Sequence, residues 1–465
     1  MRYVVLALIF LVGLAHAQTA PLLPETVIQS VERHYPALLA AEAEQRVAAG
    51  ERLSAEGAFD TVIESRLRGR LAGFYSGDIA SVEATKPLAP LGAEVYGGYR
   101  LSQGDFPIYE DEYFTNQGGE AKVGVLFSLL RNRTIDSRRA GILEAELGLS
   151  EAALDVLIAR LEVQERAQIA YWQWVTAGRE RQAYAGLLAL AERRDVALRR
   201  EVSSGARAAI FLTENAQNLT RRRDRVRRAD LALALAANDL ALYLRDENGE
   251  PIVPSPEQQP LNLDLPSPVS LAELASIVDG QPELRLLKIA RQRLELKRDL
   301  ARNDLLPNLD LKVEAGDDFG AIGPGGISRD DAEVIAGVTL KVPFGRRDAR
   351  GRVRSANARL DALEQRQRLL SDRIAQEIRK LTVSIETAEE LLKLATLEAQ
   401  QAAELEEAER RRFRNGASDF FLVNIREQTA ANARVRVAEA ELALAAARIS
   451  YLAATFDIER LTSGG

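Results

Sequence analysis

Histidine, cysteine and converging carboxylates carry most nucleophilic, metal and acid–base chemistry, and this chain is nearly bare of the first two. Its 465 residues include no cysteine and two histidines. His16 lies in a stretch that reads as a cleaved leader, which leaves His34 alone. Cys–His dyads and His/Cys zinc clusters are therefore excluded. A Ser–His–Asp triad would have to use His34, which sits in a helical segment just before Pro36 and reads as a surface or packing residue. Acids are plentiful but form no compact catalytic motif. Glu110, Asp111 and Glu112 with Gly118 and Gly119, and Asp317 and Asp318 with Gly323, Gly325 and Gly326, read as acidic outer loops without support for a metal. The expectation is a non-enzyme with no metal and no cofactor.

The elements around these residues point elsewhere. Arg2, the apolar run Val4 to Leu14 and Ala15-His16-Ala17 form a secretory signal peptide over 1–17, cut before Gln18. An exported chain without cysteine relies on its core or its assembly for stability. The net charge is −7 with both signs abundant, which fits salt-bridged helical surfaces and argues against a nucleic-acid partner. No later segment has the apolar run of a membrane helix, so any membrane span must be a β-barrel, whose alternating strands hydropathy barely registers.

All 16 prolines fall at or before Pro107 or between Pro251 and Pro343. An interior proline costs a helix about 3 kcal/mol, so the proline-free stretches 108–250 and 344–465 suit very long helices. Ile374, Ile378, Leu381, Ile385, Ala388, Leu392, Ala395, Ala399 and Ala402 follow an unbroken 4-3 spacing, a heptad seam that narrows to alanine. Helices are expected from about Ser137 to Val202 and from Ile210 to Leu244. Trp172 and Trp174 then lie mid-helix and read as packing residues. The arginines at 221, 222, 223, 225, 227 and 228 read as a solvated face paired with acids on a neighbouring helix.

Strand patterns occupy the Gly- and Pro-containing regions. Leu309, Leu311, Val313 and Ala315 alternate with Asp310, Lys312 and Glu314. Ile63, Leu67, Leu71 and Tyr75 oppose Glu64, Arg66, Arg68 and Arg70. Val123 to Leu129 and Val334 to Val342 repeat the alternation. One apolar and one charged face is what a barrel strand needs, although a solvent-exposed sheet on a soluble core alternates in the same way. A further pattern, from Ala93 to Leu101, suggests an extra hairpin, and leaves open whether it joins the barrel or forms an external loop.

The chain is weakly duplicated. Tyr35-Pro36-Ala37-Leu38 corresponds to Gln281-Pro282-Glu283-Leu284, the strand around Gly124 to that around Gly337, and Ser204-Gly205-Ala206 to Asn415-Gly416-Ala417. The first repeat covers 18–244, with strands within 60–130 and long helices over 137–244. A linker follows at 245–270. The second repeat covers 271–458, with strands within 307–343 and long helices over 348–455. Gly205 and Gly416 stand where a long helix must reverse.

This order, together with Val342-Pro343-Phe344-Gly345-Arg346-Arg347 and Arg412-Phe413-Arg414-Asn415-Gly416-Ala417-Ser418, resembles the TolC-like outer membrane efflux protein family over roughly Thr26 to Thr455. The resemblance implies a mainly α fold with transmembrane β: a homotrimer sharing one β-barrel in outer-membrane lipid, continuous with a long α-helical periplasmic tunnel. It implies a passive conduit for a tripartite efflux pump or type I secretion system. An inner-membrane pump or ABC exporter would supply the energy. A periplasmic adaptor (membrane fusion) protein would contact the tips at Gly205, Arg207, Gly416 and Asp419. Glu64, Arg66, Arg68, Arg70, Asp310, Lys312 and Glu314 would face the barrel lumen. The family's aspartate six residues after the tip glycine is replaced here by Phe211 and Leu422. The competing expectation is a soluble periplasmic coiled-coil adaptor or scaffold. A carboxylate hydrolase ranks last.

Overall fold

A computed structural model describes residues 20–260, 264–266, 278, 280–323 and 331–457. The expected signal peptide, Gly325 and Gly326, linker residues 261–263 and 267–270, and residue 458 lie outside the described residues. In chain order the elements are α1 (Pro24–His34), α2 (Pro36–Glu56), β1 (Val62–Gly69), β2 (Asp78–Pro87), β3 (Glu94–Gln103), β4 (Glu120–Ser128), α3 (Ser137–Ser203) and α4 (Ile210–Ala241). These are followed by α5 (Pro282–Asn303), β5 (Asn308–Asp318), β6 (Glu333–Lys341), α6 (Arg347–Arg414) and α7 (Phe420–Ala454). At 67 and 68 residues, α3 and α6 would each run about 100 Å at 1.5 Å per residue. Among the described residues, no helix is long and apolar enough to cross a membrane.

Contacts divide the chain into two compact units, and each draws on both sequence repeats. The first unit comprises residues up to Leu39, Ala159–Ile277 and Ile374 onwards. Its long described elements are helices, and its core follows the heptad seam. Ile378, Ile385 and Ala388 of α6 pack with Leu444 and Tyr451 of α7. Further along, Ala402 packs with Ala430 and Ala433, and small side chains there let the two helices approach closely. Trp172 and Trp174 are buried in this unit, which fits packing rather than a membrane-interface belt. The Tyr171 hydroxyl donates to the Leu22 carbonyl at 2.8 Å, and burial pushes its pKa well up.

The second unit comprises Ala40–Ile158 and Val278–Arg373. It holds one six-stranded antiparallel sheet in the order β1-β2-β3-β4-β5-β6. The extra hairpin left open by the sequence is β2–β3, and it is inserted in the sheet between β1 and β4. The first repeat thus supplies four strands and the second two. Asn132, in the left-handed region at φ 67°, ties the repeats together beside the sheet. Its N–H donates to Asn303 Oδ1 at 2.8 Å, and the two side-chain amides bond at 3.0 Å.

Candidate conduit faces and helical tips

The strand register settles which residues share a face. One row runs Ile63–Ala84–Gly97–Val123–Ala315–Val334 across all six strands, and the next runs Glu64–Glu83–Gly98–Lys122–Gly316–Glu333. Side chains alternate along each strand, so the first row and those two residues away form one apolar face. That face carries Leu67, Val82, Leu101, Val125, Leu311 and Val338. Many of its large side chains are exposed, Leu67 at 84% and Val338 at 65%. Exposed apolar surface of this extent requires a cover.

The second row forms a polar face. Glu64, Arg66, Arg68, Asp310, Lys312 and Glu314 all lie on it, so the charges of β1 and β5 that the sequence separates by over two hundred positions share one surface. Tyr96 donates to Glu314 at 2.5 Å, and Lys312 pairs with Glu314 at 3.0 Å. Arg100 pairs with Glu120 at 2.7 Å. A Cβ at Gly124 would overlap the Tyr96 ring, which explains the glycine facing it.

Arg70 departs from the expectation. It follows the last residue of β1, together with Leu71 and Tyr75, because β2 begins at Asp78 opposite Gly69 and the chain must reverse within 70–77. Gly73, at φ 136°, serves that reversal. The Arg70 guanidinium nevertheless meets Glu110, which also receives Arg68 at 3.5 Å.

At the far end of the helices, Gly205 and Gly416 close α3 and α6 in the same way. Their φ angles are 75° and 74°. Gly205 N–H bonds the Val202 carbonyl at 3.0 Å and Ala206 N–H the Glu201 carbonyl at 2.9 Å. Gly416 and Ala417 repeat this with Phe413 at 3.1 Å and Arg412 at 2.8 Å. Both ends are Schellman motifs. Arg207 pairs with Glu201 at 2.7 Å and lies over the rings of Phe211 and Phe413 at 5.6 and 5.4 Å. Phe211, standing where the resemblance implies an acid, is thus a cation–π partner. The Asp419 carboxylate accepts from Leu422 N–H at 2.7 Å as the N-cap of α7.

Just behind these tips lies a charged cluster that sequence reading missed. Glu427 is 1% exposed and receives Arg194, Arg222 and Arg410, so residues of α3, α4, α6 and α7 converge on it. Arg222 was expected on the solvated face of α4 but is 4% exposed. It stands on the seam of Leu219, Ala229 and Leu233, whereas Arg223 and Arg228 are exposed and pair with Glu192 and Asp224. That seam position was the available signal. Among the described residues no group of three or more His, Cys, Asp or Glu side chains is placed to hold a metal ion.

Residues 275–458 match the family model described as Outer membrane efflux protein. Over these residues, about two fifths of the chain, it is similar to that family. Solved structures extend the likeness to the whole fold. The CmeC outer membrane channel of Campylobacter jejuni is 15% identical, with a TM-score of 0.63 over 95% of this chain and 89% of that one. The open state of the MtrE outer membrane channel of Neisseria gonorrhoeae is 13% identical, with a TM-score of 0.66 over 93% and 88%. The outer membrane protein VceC of Vibrio cholerae is 13% identical, with a TM-score of 0.61 over 93% and 95%. No curated protein matches the chain. The matched residues contain β5, β6 and the tip at Gly416. The tip at Gly205 and the four strands β1–β4 precede it and complete the same fold.

Proposed function

We propose that three copies of this chain form an outer-membrane channel, a passive conduit from the periplasm to the exterior. The observation that carries this reading is the two-faced sheet with two open edges. Every residue of β1 and of β6 is exposed, and each edge offers unpaired backbone groups to another chain. An even strand count makes β1 and β6 antiparallel, so β6 of one copy can pair with β1 of the next around a closed ring. Three copies of six strands give eighteen, a size that encloses an aqueous channel. The apolar face then meets lipid, and the polar face, with Glu64, Arg66, Arg68, Asp310, Lys312 and Glu314, lines the lumen. Strands of 8 to 11 residues match a bilayer's hydrocarbon core.

The helices have their own unpartnered surface. Val383, Leu394 and Leu405 of α6 are exposed and lie about three turns apart on one face. Packed against neighbouring copies, they would complete a tunnel wall with pseudo-sixfold symmetry. A periplasmic adaptor would engage the tips at Gly205, Arg207, Gly416 and Asp419 and draw them apart like an iris. An inner-membrane pump or ABC exporter would supply the energy.

Detergent extraction of outer membranes followed by native mass determination tests this reading. A trimer with mixed helix and strand signal is expected. A monomer released without detergent would overturn it in favour of a soluble coiled-coil protein. Gating is tested by Arg207→Cys with Asp419→Cys, whose cross-linking should abolish transport. Full transport in a cross-linked sample would sink the iris.

A further inference from the structure

The segment joining β3 to β4 does not project away from the sheet. It folds back over the polar face. Arg100, on that face, donates to the Glu112 carbonyl at 2.8 Å. Ser102, two residues on, exchanges bonds with Thr115, the Thr115 N–H reaching the Ser102 hydroxyl at 2.9 Å. Asn116 N–H donates to Asp318 at 2.9 Å. Arg68 and Arg70 both reach Glu110, so the segment is clamped at β1, β3 and β5. Its underside is packed: Phe106 is buried against Tyr113 and Phe114, and Gly77 leaves no room for a Cβ beside the Phe106 ring. At the crest, Ile108 and Tyr109 are 90% and 81% exposed. Two large apolar side chains are thus held up on a charged surface.

We propose that residues 104–119 form an inward constriction at the outer mouth of the channel, with Ile108 and Tyr109 of three copies as its narrowest ring. The inference rests on the trimeric barrel reading. By strand spacing and tilt, eighteen strands enclose a ring roughly 35 Å across between backbones. Three clamped segments folded onto the inner wall reduce that opening and place apolar and aromatic surface where solutes leave. The barrel would then select against large or strongly hydrated cargo independently of the periplasmic tips.

The absence of native cysteine makes the test direct. Detergent-purified trimers of the full chain carrying Tyr109→Cys are treated with a bifunctional thiol reagent shorter than the barrel radius, with Val82→Cys on the apolar face as control. Covalent dimers and trimers from Tyr109→Cys, and none from Val82→Cys, are the expected result. Trimers of Tyr109→Cys whose thiols are fully modified, by mass, yet never linked between copies would overturn the constriction and leave the channel reading standing. Isolation of monomers only would overturn both. In planar bilayers, a bulky charged thiol reagent should cut the current of Ile108→Cys channels by half or more, and Arg68→Ala with Arg70→Ala should raise single-channel conductance. Unchanged current in both variants, in channels whose tips are held open, would count equally against the inference.

Discussion

The Arg222 guanidinium lies 3.3 Å from the Glu427 carboxylate, and both groups are sealed from solvent just behind the helical tips. Burial pushes the Arg222 pKa down, and Glu427 works against that shift, yet an arginine remains charged at any ordinary pH. Glu427 is also the counter-charge for Arg194 and Arg410. The cluster is therefore asymmetric: Glu427 meets all three bases, and Glu406 is a second acid for Arg410 alone among them.

That asymmetry predicts unequal mutants. Glu427→Gln leaves Arg194 and Arg222 without their shared partner and Arg410 with Glu406 alone, and should cost about 3–5 kcal/mol, as removal of a buried counter-charge does. Arg222→Met leaves Glu427 with two partners and should cost distinctly less, about 1–2 kcal/mol. Thermal unfolding of the helical signal in detergent measures both. Equal losses would show that the cluster is not organised around Glu427.

At the tips, the cost of substitution should come from the backbone alone. A Cβ at Gly205 or Gly416 meets nothing within 4 Å, but φ near +75° is strained for other residues by about 1–2 kcal/mol. Gly205→Asn should be tolerated better than Gly205→Ala, and Gly205→Val should be worst. Limited proteolysis at the tip turns would report the order, and an order set by side-chain size alone would contradict it.

Acid should loosen the same region through Asp195. Burial opposes its ionisation, but hydrogen bonds from Arg199 and Asn215 outweigh this and hold its carboxyl below the usual range. A depressed folded pKa contributes stability above the unfolded pKa, which is lost as pH falls towards the folded value. Melting temperatures followed from about pH 5 to pH 3 should therefore fall more steeply in the native chain than in Asp195→Asn. Parallel curves would remove Asp195 from the acid response.

On the sheet, Gly124→Val should displace the Tyr96 ring and break its bond to Glu314. The expected loss is about 1–3 kcal/mol, seen as a lower temperature for dissociation of the oligomer on unheated gels. Tyr96→Phe, which keeps the ring, should lose about 1 kcal/mol.

Much of this architecture was legible without coordinates because it rests on local periodicity. The seam Ile374 to Ala402, the proline-free stretches and the glycines at 205 and 416 each report on their own neighbourhood in the chain, and α3, α4, α6 and α7 follow from them. The alternation of β5 and β6 was readable for the same reason. Alternation misplaced the end of β1, because Leu71 and Tyr75 keep the spacing of a strand while Gly69 and Asp78 require a turn. It also left β2–β3 undecided, since a hairpin reads alike whether or not a sheet receives it.

What the sequence determined by itself was thus the kind of each element and the two-faced character of the strands, both set by backbone geometry over a few residues. Only the tertiary structure decided the rest. The register that lines up Ile63 with Val334 through four intervening strands, the seating of Arg222 against Glu427, and the folding of the 104–119 segment onto Arg68 and Arg100 all depend on partners far apart in the chain. A charged residue on a helix or strand looks the same whether solvent or another charge will meet it, and long-range packing makes that choice.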